Sequence, residues 1–284
     1  MRKVVKTMHA LPRWIWLIII VLVFIVLVLA LLYFFQHRLI FYPTSITEDE
    51  ADMIRSQHPE AEEITVPVTD EVTVHGWLLS NVEEEPSPLL IYFGGNAQEV
   101  SQLIPETAEI EGWSVLLMNY RGYGLSEGDP DEEALLGDAL MVYDEMAERE
   151  DIDTDHIVTM GRSIGSAVAT HLSAERKVQG TILVSPFDEF LHVAQSQFPF
   201  LPVEWLLKYS FDSTDIAPQT EHPLLALIAG EDEIVDPAYS KALVEKWGGP
   251  KESYVIEGEG HNTIHLSEEY RARIQEFLQA MEEG

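Results

Sequence analysis

The stretch Ile157-Val158-Thr159-Met160-Gly161-Arg162-Ser163-Ile164-Gly165 decides how the rest of this chain is read. Its first four residues suit a strand buried on both faces. From Ile164 to Ala174 the pattern turns helical. Between the two stands G-x-S-x-G, with Gly161 and Gly165 each two residues from Ser163. A chain that turns this sharply from strand to helix has no room for a Cβ at either glycine, and the turn pushes the serine side chain outward. The new helix also brings unpaired N–H groups and the positive end of its macrodipole behind Ser163, where an oxyanion would develop. Ile164 N–H is the first expected donor. The motif alone is common by chance, so its place between strand and helix carries the argument.

A second oxyanion donor belongs on the loop after an earlier strand, and Gly94-Gly95-Asn96-Ala97 follows the apolar run Leu89–Phe93 in that position. Asn96 N–H is the choice. A serine at its ordinary pKa is a poor nucleophile, so a histidine must take its proton and a carboxylate must orient that histidine. On a strand–turn–helix elbow the chain order is serine, acid, histidine. Asp232 stands just past the run Leu224–Ala229, and His261 follows the run Ser253–Ile256. Glu231, Glu233 and Asp236 are acidic neighbours of Asp232, and Asp188 past an earlier strand is another place for the acid. The first loop residues beyond a strand are best placed to reach inward, which favours Asp232.

Outward from this centre, Ile64–Val68 and Val72–Ser80 alternate as an antiparallel hairpin. From Leu89 onward short apolar runs (Leu89–Phe93, Ser114–Asn119, Ile157–Met160, Thr181–Val184, Leu224–Ala229, Ser253–Ile256) are separated by helical stretches. Those helices are expected over Gln98–Glu111, Asp131–Arg149, Ile164–Ala174, Pro237–Trp247 and Ser267–Met281. This alternation predicts an α/β fold, a mainly parallel sheet with helices on both faces. Residues 187–217 break the rhythm with Phe, Trp, Tyr and Pro, and read as a cap-like insertion. Phe187, Phe190 and Phe198 could line an apolar substrate pocket there, or form the cap's own core.

Trp14 to Phe35 is a run of 22 residues without a charge. As a helix it is about 33 Å long, enough to cross the hydrocarbon core. It is too long for an ordinary signal-peptide core, and no A-x-A-like cleavage site follows. Residues 14–35 are therefore expected to span a bilayer, with 36–62 as a membrane-proximal linker and 63–284 as one catalytic domain. Arg2, Lys3, Lys6 and Arg13 precede the run, whereas Arg38 alone follows closely. The positive-inside rule then keeps residues 1–13 cytoplasmic and places the domain on the outer or periplasmic side of the cell membrane.

The formal net charge is −32, and beyond Arg38, 12 basic residues face 49 acidic ones. Such a domain repels nucleic acid, and its acidic runs read as a solvated surface, compatible with a high-salt habitat. The chain has no cysteine, which excludes disulfides, thiolate nucleophiles and Cys-ligated metals. His261-Asn262-Thr263-Ile264-His265 lacks the glutamate of a zinc H-E-x-x-H motif. Asp151, Asp153 and Asp155 start like a calcium loop, but His156 stands where glycine is needed and Arg162 where glutamate is, so they read as a turn. Nothing calls for a metal, an organic cofactor or an obligate protein partner.

With these residues in hand, the chain resembles an α/β-hydrolase of the Bem46-like group, the membrane-associated enzymes related to alpha/beta hydrolase domain-containing proteins 12, 13 and 17. The resemblance rests on Leu39–Pro43, Gly76–Leu79, Gly94–Ala97, Asn119–Gly128, Gly161–Gly165, Ser185–Asp188, Asp232–Val235 and Gly260-His261. Relatives commonly carry histidine where Gly94 stands. The resemblance implies a glycine-rich loop beside the active site at Tyr120–Gly128, and acyl hydrolysis of an ester substrate. Peptidase and thioesterase (depalmitoylase) chemistry are alternatives on the same triad, and a non-catalytic, membrane-tethered ligand-binding protein is the alternative outside enzymes.

Overall fold

In a computed structural model, residues 12–82 and 85–282 are described. The basic segment 1–11, on which the expected cytoplasmic N-terminus partly rests, lies outside the described residues.

The sheet has eight strands in the order β1-β2-β4-β3-β5-β6-β7-β8. Strands β1 (Ala61–Pro67) and β2 (Thr73–Leu79) form the antiparallel hairpin, with Ile64 opposite Gly76. β2 also runs antiparallel to β4 (Ser114–Met118), whereas β3 (Ser87–Phe93), β4, β5 (Ile152–Arg162), β6 (Gly180–Val184), β7 (Leu224–Ala229) and β8 (Lys251–Ile256) are mutually parallel. Side chains alternate along each strand, so the sheet supplies two cores. Leu89, Ile91 and Phe93 face one of them, which α4 (Glu132–Ala147), α5 (Ile164–Glu175) and α8 (Pro237–Lys246) close with Leu135, Val168 and Leu243. Leu90 and Tyr92 face the other, closed by Ile104, by Trp113 and by Ile274 and Leu278 of α9 (Glu268–Glu282). The expected α/β-hydrolase fold is therefore present, and the parallel strand ends converge on one edge.

Four local features differ from the sequence reading. The helix expected over Gln98–Glu111 is reduced to a 3-10 turn, Val100–Leu103, followed by the single turn α3 (Ile104–Thr107). Pro105 has no N–H to donate to the preceding turn, so it is tolerated in the first turn of α3 and the residues before it form a 3-10 turn instead of an α-helix continuous with α3. β5 begins at Ile152, so Asp153 and Asp155 lie within the strand rather than in a turn before it. The apolar helix α1 covers Arg13–Ile40 and continues past residue 35. The segment 36–62, expected as a linker, holds α2 (Glu48–Gln57).

α2 is explained by local chemistry. Thr47 is its N-cap and forms a reciprocal capping box with Glu50, and Glu48, Asp49 and Glu50 place negative charge at the positive end of the helix dipole. Arg55 ties the helix to β1 through Glu63 at 2.7 Å. Within 187–217, α6 (Phe190–Gln197) and α7 (Val203–Leu206) are the helices of the insertion. Thr47→Ala is expected to lower the stability of the detergent-solubilised protein by about 1 kcal/mol, the usual cost of losing an N-cap, measured by urea denaturation.

Candidate active site

The strand–turn–helix at Ser163 has the geometry its sequence requires. Ser163 has φ 53° and ψ −120°, in the left-handed region that side chains avoid, so the fold holds it under strain. A Cβ on Gly161 would come within 2.1 Å of Gly165 O, and one on Gly165 within 2.2 Å of Phe93 O. The elbow is thus packed backbone to backbone against the end of β3. Gly95 passes the nucleophile closely, since a Cβ there would lie 3.6 Å from Ser163 Cβ.

The structure brings Asp232 and His261 together. His261 Nδ1 and Asp232 Oδ2 are 2.8 Å apart, and both side chains are buried. Asp232 Oδ1 accepts the N–H groups of Ile234 (2.9 Å) and Val235 (2.7 Å), which fixes the carboxylate at the start of its loop. Burial pushes the Asp232 carboxyl up, but the hydrogen bond and charge of His261, with the two N–H groups, outweigh it and hold the carboxyl below the usual aspartate value. His261 Nε2 is left for a second partner. Among the described residues no hydrogen bond joins it to Ser163 Oγ; bonds of this kind commonly tighten only when substrate binds.

The competing acids are used otherwise. Asp188 pairs with His192 at 2.9 Å, and Asp236 caps α8 through Ala238 N–H. Glu233 Oε2 accepts His261 N–H at 3.4 Å and so supports the histidine loop from behind. His75 pairs with Glu63 at 3.0 Å and His156 with Asp153 at 2.8 Å, while His222 meets Thr181 Oγ1 at 2.8 Å and burial pushes its pKa down to about 4.

Ile164 is the first residue of α5, so its N–H has no acceptor within the helix. Asn96 stands on the facing loop, and its side chain has a use the sequence did not reveal. Asn96 Oδ1 accepts Tyr42 N–H (3.1 Å), Tyr123 hydroxyl (2.9 Å) and Ala97 N–H (3.0 Å), and Asn96 Nδ2 donates to Ile40 O. The same loop is held by Tyr120, whose hydroxyl donates to Gly94 O at 2.8 Å, and by Thr44, whose hydroxyl donates to Ala97 O at 3.2 Å. Burial raises the pKa of both tyrosines, which keeps them protonated as donors. The loop 119–128 therefore packs beside the site, as the resemblance implied.

Arg162 is a further residue that sequence reasoning missed. Its Nη2 donates to His261 O (2.8 Å) and to Asn262 Oδ1 (3.0 Å), linking the elbow directly to the histidine loop. It occupies the variable place in G-x-S-x-G, so nothing in the motif marks it. The three aromatic pocket candidates do not sit together in a cavity. Phe187 is buried and packs on Phe190, which in turn packs on Phe211, so the pair belongs to the cap's core, while Phe198 is exposed. A cavity of about 790 Å³ lies instead between the loop Gly94–Ala97 and the start of α9, lined in part by Asn96, Gln98, Arg162, Asn262 and Tyr270.

The comparisons with known proteins agree with this architecture. The family model described as serine aminopeptidase, S33, matches residues 93–211, which include Ser163 but end before Asp232 and His261. An uncharacterised protein of Mycobacterium tuberculosis is 30% identical over 233 residues, covering 81% of this chain and 82% of that protein. Alpha/beta hydrolase domain-containing protein 17B of Xenopus laevis is 29% identical over 193 residues, covering 66% and 65%. Among solved structures, an esterase of Pyrococcus furiosus superposes with a TM-score of 0.64 at 21% identity, over 84% of this chain and 95% of that one. Est1E of Butyrivibrio proteoclasticus, solved with ferulic acid, gives 0.63 at 17% identity, over 78% and 100%. The chain belongs to the α/β-hydrolase superfamily. Within it, the chain is related to the alpha/beta hydrolase domain-containing 17 proteins, and its fold supports hydrolase activity.

Two outcomes test the site's construction. Gly165→Ala is expected to destabilise the protein by about 3 kcal/mol, because the added carbon meets the Phe93 carbonyl and neither backbone can withdraw; thermal unfolding checks this. The folded state binds the Asp232 proton less readily than the unfolded chain, so the carboxylate's stabilisation is complete above its ordinary value of 3.8 and is lost as pH falls through the depressed native value. The stability gap between wild type and Asp232→Ala is accordingly expected to be widest near neutrality and to close in acid, measured by urea denaturation across that range.

Proposed function

We propose that this protein is a membrane-anchored serine hydrolase that cleaves acyl esters through Ser163, His261 and Asp232. The buried 2.8 Å contact between His261 and Asp232, one loop away from a strained serine elbow, carries the reading. In the cycle, His261 Nε2 takes the Ser163 proton as Oγ attacks the acyl carbonyl, and Asp232 stabilises the imidazolium. Asn96 and Ile164 N–H hold the oxyanion of the tetrahedral intermediate. His261 then gives its proton to the departing alkoxide, leaving an acyl-enzyme. Water, deprotonated by the same imidazole, attacks the acyl carbon and releases the acid. No step calls for a metal or an organic cofactor.

Residues 14–35 are the anchor in this reading: α1 includes 28 residues of mean hydropathy 3.7 over its best window, and that window is not buried against the rest of the protein. The basic flank before the run puts the catalytic domain outside the cytoplasm. The family model's description as an aminopeptidase favours testing a second reading, amide cleavage on the same triad.

One experiment addresses both. Wild type, Ser163→Ala and Asp232→Asn are treated with a fluorophosphonate probe, then assayed on p-nitrophenyl esters of rising acyl length and on aminoacyl anilides. Ser163→Ala is expected to lose labelling and turnover while keeping its circular dichroism spectrum, and Asp232→Asn to lose about three to four orders of magnitude in kcat. Residual labelling of the Ser163→Ala protein would remove Ser163 from the nucleophile role; turnover of anilides above esters would favour the peptidase.

A further inference from the structure

The insertion 187–217 holds the end of the apolar helix. Gln36, the first residue past the uncharged run, is buried; its Nε2 donates to Leu206 O at 2.9 Å, and its Oε1 accepts Lys208 N–H at 2.8 Å. The Lys208 ammonium sits over the Tyr33 ring, 4.2 Å from its centre, and Phe41 packs edge-on against Tyr209 at 5.2 Å. The stretch after α7 is therefore fixed to the helix at the height where the hydrocarbon would end. The headgroup layer beyond that height is only about 5–8 Å thick.

On this part of the insertion, large apolar side chains stand in the open. Phe200 is 97% exposed, Trp205 82% and Phe198 57%. Trp205 is adjacent in sequence to Leu206, whose carbonyl meets Gln36. The charge pattern changes here too: Phe190 to Val203 contains no Asp, Glu, Lys or Arg, in a domain otherwise dense in acid. Acidic surface is repelled by anionic lipid, so a stretch bare of it, ending at Glu204, is one a bilayer admits. An aromatic patch next to a cation stacked on a tyrosine is the chemistry that residues at a membrane–water boundary use.

The geometry points to the face carrying Phe198, Phe200 and Trp205 as an interfacial membrane-binding surface: it inserts into the headgroup and upper acyl region of the leaflet from which α1 emerges. The domain is then held at two places, by α1 and by the cap, and cannot swing freely on a tether. The insertion itself then rests on lipid. This inference requires α1 to span the bilayer, as proposed above, so the test reads both.

The chain has no cysteine, so single cysteines report without background. Phe200→Cys and Trp205→Cys probe the patch, Ile25→Cys marks the span, and Glu109→Cys marks exposed surface elsewhere on the domain. Each full-length variant is labelled with an environment-sensitive fluorophore and reconstituted into phosphatidylcholine vesicles, with or without lipid carrying a nitroxide high on its acyl chain. Positions 200 and 205 are expected to lose emission about two-fold or more to the lipid nitroxide and to resist aqueous iodide, while position 109 does the reverse. Iodide quenching at 200 and 205, with position 25 protected from it, overturns the interfacial surface and leaves the span standing. Iodide access at position 25 removes the span and this inference with it. Protection at 200 and 205 from both quenchers also overturns it, since a second copy or another protein would then cover the patch.

Discussion

The structure depends on one close approach: the first turn of α5 lies against the end of β3, with no atom to spare between them. Gly165 sits so near Phe93 O and Gly94 O that a methyl group would penetrate them, and Gly161 is as tightly set against Gly165. Everything chemical follows from that contact. It forces Ser163 into a strained backbone conformation at the tip of β5, it seats the helix N-terminus behind the serine, and it brings the loop Gly94–Ala97 alongside. Strain of this kind persists because β5 is central, paired with β3 on one side and β6 on the other.

Around this centre, three separate segments brace one another by polar contacts. Arg162 grips the histidine loop through His261 O and Asn262, and Glu233 receives His261 N–H. The tyrosines of the glycine-rich loop, Tyr120 and Tyr123, hold the oxyanion loop. The chain leaving α1 reaches the same loop, because Asn96 binds the backbone of Ile40 and Tyr42. The end of the apolar helix is therefore wired to the residue proposed to donate to the oxyanion. A disturbance at the end of α1 reaches Asn96 directly, through the hydrogen bonds that Ile40 and Tyr42 make with its side chain.

The cap shows how a composition can mislead about role. Its aromatic residues divide by position: Phe187, Phe190 and Phe211 build a core, and Phe198, Phe200 and Trp205 are left on the surface. The cavity lies elsewhere, lined by Asn96, Gln98, Gln102, Glu106, Arg162 and Tyr270 rather than by the aromatic residues of the insertion.

The sequence by itself determined the order of strands and helices, the elbow, the loop that faces it, and the pair Asp232 and His261. These are legible because each depends on local constraints: two glycines flanking a serine between strand and helix, an acid at a strand's end, a histidine after the last strand. Thr47 and Glu50 also spelled out α2 in a capping-box pattern that the linker reading passed over. Only the tertiary structure decided that Arg162 and the Asn96 side chain brace the site, since their partners lie about a hundred and about fifty residues away along the chain. It also decided which aromatics of the cap are core and which meet the surroundings. Residue type states that a phenylalanine avoids water, but which of these rings is sheltered inside the protein is settled by what the tertiary fold packs beside it.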